Sequence, residues 1–135
     1  MPNKRKNTVL DLRPSEQEKL TPLLRYVGLL LHQLINASAE RAELSLEESP
    51  PEAGFQIHFS VQGDRRYMAP PPRHLYKPVV NILCNYASVP YYAKGLVEGE
   101  FETAHPASSW LLQSKDLQKC LVLSRTQQIK AGQTL

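Results

Sequence analysis

The side chains in this chain that offer chemistry are histidines, two cysteines, some close carboxylates, and two short clusters that set cations beside tyrosine. For His58, His74 and His105 to hold a metal, they would have to meet in space with Glu47 or Asp64. Their spacing follows no H-x-x-x-H, C-x-x-C or H-E-x-x-H pattern, so no metal site is expected. His32 has no second ligand at helical spacing and is assigned no role. Cys84 and Cys120 lie far apart in apolar runs and read as reduced core thiols, and a buried thiol in apolar surroundings is inert. Neither a G-x-S-x-G elbow nor a G-x-x-x-x-G-K-[ST] loop occurs, and the six glycines are dispersed. Glu47-Glu48 and the pair Glu98 and Glu100 read as solvated carboxylates in turns or on strand edges. The expectation is therefore a protein that is not an enzyme, with no cofactor and no metal.

The two cationic clusters are Arg65-Arg66-Tyr67 and Arg73-His74 with Tyr76. Arginine and tyrosine are enriched where protein partners grip, and a proline-rich elbow would present these side chains rigidly. Arg65, Arg66, Tyr67, Arg73, His74 and Tyr76 are therefore the protein-contact candidates. The same residues also suit ordinary strand-end and loop charge. Nucleic-acid stacking is a poorer third choice.

Several elements must position these groups. Thr21-Pro22 can start a helix, because threonine caps free amides and proline tolerates the first helical position. From there Leu23, Leu24, Val27, Leu30, Leu31, Leu34 and Ile35 recur at three- and four-residue steps, so the first helix should run to Asn36. Ser15 and Glu18 have capping-box spacing for a short turn of helix before it. Ala42, Leu44 and Leu46 alternate with Glu43, Ser45 and Glu47, as a strand with one wet face requires. After a proline-rich hairpin loop, Phe55, Ile57, Phe59 and Val61 alternate with Gln56, His58, Ser60 and Gln62. Gly63-Asp64 signals a turn, and residues 65–68 read as a short returning strand. A proline elbow leads to a second helix over residues 77–87, with Pro78 in its first turn. Edge strands are expected at residues 100–104 and 108–113, and residues 117–124 suit a strand covered on both faces.

At 135 residues, with 41% hydrophobic and 21% charged content, the chain matches one globular domain. The expected division is a flexible basic arm at 1–13, a single α/β domain at 14–126 and a frayed tail at 127–135. The net charge of +3 owes much to Lys4, Arg5, Lys6 and Arg13, leaving a nearly neutral body that argues against broad capture of nucleic acid. No apolar stretch of signal-peptide length follows the first charges, and no run approaches about 20 apolar residues, so a cytoplasmic location is expected.

Residues 54–87 carry the most specific pattern: a V-x-G turn after an alternating strand, then Pro71-Pro72-Arg73-His74-Leu75-Tyr76 and a helix. With Ala42-Glu43-Leu44-Ser45-Leu46-Glu47 before it and Val97-Glu98-Gly99-Glu100 after it, this resembles the PAS-like amino-terminal domain of type II secretion and type IV pilus assembly ATPases. That family carries S-D-I-H-I-E-P, an arginine-rich strand ending in I-D-G, P-P-x-x-L, and Q-D-G-R. The resemblance covers residues 23–100. Gln56, His58 and Ser60 stand where the family has arginines that approach nucleotide, Gln62 replaces the I-D-G aspartate, and Glu100 replaces an arginine. Ile82 and Cys84 stand where it has basic residues. Glutamine, neutral histidine and serine cannot replace arginine's charged fork at phosphate oxygens.

The resulting expectation is an α+β domain, sandwich-like, with a small mostly antiparallel sheet and helices packed on one face. The resemblance implies a non-catalytic adaptor or regulatory module that touches a motor ATPase or a second copy of itself. The alternative is a small nucleic-acid-associated protein using Lys4, Arg5 and Lys6 with Arg65, Arg66 and Arg73. A weaker third reading is a nucleotide-sensing module.

Overall fold

The computed structural model describes residues 9–50 and 53–126. In chain order the elements are β1 (Val9–Asp11), α1 (Pro14–Gln17), α2 (Pro22–Asn36), β2 (Arg41–Glu47), β3 (Gly54–Val61), β4 (Asp64–Tyr67), a 3-10 turn (Arg73–Leu75), α3 (Tyr76–Tyr86), β5 (Val97–Ala104), β6 (Ser108–Ser114) and β7 (Cys120–Arg125). All seven strands among the described residues join one sheet in the order β1-β5-β6-β7-β2-β3-β4. β1 runs parallel to β5, and the other five pairings are antiparallel.

This corrects the expected small, mostly antiparallel sheet with helices packed on one face. The sheet is seven-stranded and mixed, and strands dominate the molecule. The difference arises at both ends of the chain. Val9–Asp11, within the segment expected to be a flexible arm, pairs with residues 102–104, and Leu10 and Leu12 are buried. β7 inserts between β6 and β2, joining what would otherwise be two three-stranded pieces, β1-β5-β6 and β2-β3-β4. Neither pairing is local, so neither leaves a signal in the alternation of a single segment.

The helices start and stop where the chain's backbone chemistry dictates. Thr21 Oγ1 accepts from the Leu24 amide at 3.4 Å and Pro22 occupies the first helical position of α2. Asp11 organises the start of α1: its carboxylate accepts from the Arg13 amide at 3.0 Å and from the Arg13 guanidinium at 2.6 Å. The Arg13 hydrogen bonds hold the Asp11 carboxyl down at about 2. Pro78 lies in the first turn of α3, where its missing N–H costs no helical bond.

One core unites the helices with alternate positions of the sheet. Val27, Leu31 and Leu34 of α2 and Val79, Leu83 and Cys84 of α3 join Leu44, Ile57, Phe101, Trp110, Leu112, Leu121 and Leu123. Intervening strand residues face the other way. There Glu98, Glu100 and Glu102 are exposed, and His58, Leu111, Cys120 and Val122 are half-buried. The expectation that residues 117–124 form a strand covered on both faces is corrected by this alternation. Leu121 and Leu123 are fully buried, whereas Cys120 and Val122 are not. Among the described residues no helix is long and apolar enough to cross a membrane.

Candidate protein-contact site

The β3/β4 hairpin turns through Gln62 and Gly63, at φ 52° and 86°. Two left-handed residues in succession make the turn whose twist matches that of the flanking strands, so β4 is laid flush along β3. The register then sets Arg65 beside Ser60 and Tyr67 beside His58. Arg65 Nη2 donates to His58 Nδ1 at 2.6 Å and lies 3.8 Å from Glu43 Oε1. A guanidinium can only donate, so His58 Nδ1 carries the lone pair in this bond. The Tyr67 ring meets the His58 ring edge-on, with centroids 4.6 Å apart. Arg66 sits opposite Phe59, and its side chain therefore leaves from the other face of the strand. Every residue of β4 is exposed, and the Tyr67 side is 69% open despite its size.

The second cluster belongs to the 3-10 turn. Arg73 Nη1 donates to the Glu47 carbonyl oxygen at 3.2 Å, tying the elbow to the end of β2. Arg73 and His74 are exposed and line an open cleft of about 600 Å3 together with Leu46, Glu48 and Lys77. Tyr76 does not belong with them as a contact residue. It is 1% exposed, packs edge-on against Phe55 at 5.3 Å and donates to the Leu117 carbonyl oxygen at 3.0 Å. Burial pushes its phenol well above the ordinary tyrosine range.

The two clusters do not form one patch. Arg65 is aligned with Arg41 through Ser60, whereas Arg73 bonds Glu47 at the opposite end of β2. Six residues of strand separate those levels, a distance of about 20 Å. Lys4, Arg5 and Lys6 lie outside the described residues.

Other candidate chemistry is dispersed. No group of three or more histidine, cysteine or carboxylate side chains is placed to hold a metal ion among the described residues. His58 is engaged with Arg65, His74 lies at the elbow and His105 lies in the turn between β5 and β6. Both cysteines are free thiols. Burial pushes Cys84 up to about 11, and burial with nearby carboxylates raises Cys120 as well, which leaves neither thiol activated.

Two features escaped the sequence reading. Tyr91, Tyr92 and Lys94 line a hollow of about 320 Å3 that shares Lys77 and Gln118 with the elbow cleft. Their segment has no periodicity, so only the pair of adjacent tyrosines signalled it. The other feature is Glu102, which extends the expected pair Glu98 and Glu100 into an acidic row on β5. Its period of two was legible, but the strand was expected to begin only at residue 100. No protein-family model and no curated protein sequence matches this chain.

Proposed function

We propose that this protein is a non-catalytic adaptor or regulatory module, acting by protein–protein contacts in the manner of the amino-terminal domain of secretion and pilus ATPases. The observation that carries this reading is the exposed edge strand β4, where Arg65 and Tyr67 are held in place by His58 and Glu43. A cation and an aromatic ring, both open to solvent and both braced by neighbours, lose little side-chain freedom when a partner covers them. The partner is a motor ATPase of a secretion or pilus system, reached in the cytoplasm. The substitution of the family's phosphate-facing arginines by Gln56, His58 and Ser60 favours protein contact over nucleotide contact.

The test is a pull-down from native cell extract with mass spectrometry, comparing the wild type with an Arg65→Ala/Arg66→Ala double variant. Enrichment of a secretion or pilus motor by the wild type, lost in the variant, is the expected result. Recovery of no secretion or pilus component overturns the reading. The division of the arginines into two groups about 20 Å apart along the strands counts against nucleic-acid binding through one patch. Steeply salt-dependent retention on DNA or RNA would reverse that preference.

A further inference from the structure

The two long sides of the sheet carry opposite charge at the same level. Following the register across the sheet, one row runs Glu100, Leu111, Ser124, Arg41, Ser60, Arg65. The next two rows run from Gly99 to Arg66 and from Glu98 to Tyr67 by the same pairings. Among the described residues β4 is the last strand on its side. On the other side β1 covers only residues 102–104, and among the described residues nothing pairs with the outer side of residues 97–101. That stretch contains no proline to block a new ladder.

We propose that a second copy of this chain adds its β4 to the outer side of residues 97–101, extending one sheet head to tail into the next. The inference rests on the reading of β4 as a contact strand and names its partner surface. Strand direction allows the junction directly. Five successive antiparallel pairings separate β5 from β4, so β4 of one copy runs antiparallel to β5 of a copy in the same orientation. No slip along the strands is needed. Arg65 falls opposite Glu100, Tyr67 opposite Glu98, and Arg66 opposite Gly99, on the face where Ala87 and Val89 pack against that glycine. The Arg65 guanidinium keeps unused N–H groups for the Glu100 carboxylate, and the Tyr67 hydroxyl can donate to Glu98.

A symmetric pairing of β4 with another β4 would instead juxtapose Arg65 and Arg66 with the same residues of the partner, and like charges across a ladder oppose pairing. The charge pattern therefore selects the head-to-tail junction. Each sheet twists by roughly 20–25° per strand, so successive copies wind about a common axis and form a ring or an open chain. A junction of four residues is small and its affinity correspondingly weak.

Sedimentation velocity of the full chain over about 10 μM to 1 mM, the range in which weak junctions assemble, tests the proposal. The wild type is expected to show a sedimentation coefficient that rises with concentration. Arg65→Glu alone and Glu100→Arg alone should each weaken association about tenfold or more, with unchanged circular dichroism. An equimolar mixture of the two variants should recover association, because both junctions become complementary again. A wild type that stays monomeric throughout, or a mixture that stays monomeric, overturns the proposal. Hydrogen-exchange protection of residues 97–101 that is independent of concentration overturns it too, by assigning that side to the chain's own preceding segment. Self-association is read without any extract, so its failure leaves the pull-down of a motor ATPase intact, and the reverse also holds.

Discussion

Tyr76 donates its phenolic hydrogen to the carbonyl oxygen of Leu117 at 3.0 Å, joining residues 41 positions apart inside the core. The bond ties the start of α3 to the loop that leads into β7. Tyr76→Phe keeps the ring against Phe55 and leaves a buried carbonyl without its donor. Such a loss costs about 1–3 kcal/mol. Urea unfolding should show a lowered midpoint at an unchanged m-value, and an unchanged midpoint would remove this bond from the account of stability.

The same burial sets a response to alkaline pH. Cys84 rises from 9.0 to about 11, and Tyr76 rises from 10.0, both chiefly through burial. The folded chain thus holds these protons more tightly than the unfolded chain does. Between pH 9 and 11 the unfolded state binds fewer protons at Cys84, so stability falls as pH rises through that window. The thiol's share of the fall is on the order of 2 kcal/mol. Unfolding midpoints measured at pH 8, 9, 10 and 11 should drop for the wild type and drop less for Cys84→Ala. Thiol labelling of the native protein at pH 8 should modify the half-buried Cys120 before the buried Cys84.

Two glycines should answer differently to alanine. A methyl group on Gly99 would run into the Ala87 carbonyl oxygen and, at 2.6 Å, into Val89. Backbone cannot yield as a side-chain tip can, so Gly99→Ala is expected to destabilise by about 1–3 kcal/mol. A methyl group on Gly28 meets only the amide end of Gln17, which donates to the Asp11 carbonyl oxygen at 2.7 Å. The helical preference for alanine, up to about 1 kcal/mol, offsets that lost bond, and Gly28→Ala should be near neutral. Comparison of the two melting temperatures decides the matter.

The sequence disclosed what local physics controls. The bounds of α2 follow from Thr21, Pro22 and the leucine spacing; β2 and β3 follow from strict alternation; and Pro78 lies where a proline can begin a helix. It concealed what depends on distant partners. Val9–Asp11 is too short to show a period and becomes a strand only because β5 receives it. Tyr76, placed between cations and a proline, carries the local marks of a surface residue, and only the approach of Leu117 and Phe55 makes it core. The alignment of Glu100 with Arg65 is the sum of five separate registers, and no single segment records it.

β7 holds the two halves of the sheet together from within. Among the described residues, 120–125 form the last strand in chain order, yet they lie at the middle of the sheet between β6 and β2. Without them, the facing sides of β6 and β2 would lack their ladder partner. Proteolysis or truncation that removes this strand would therefore divide the sheet rather than trim it.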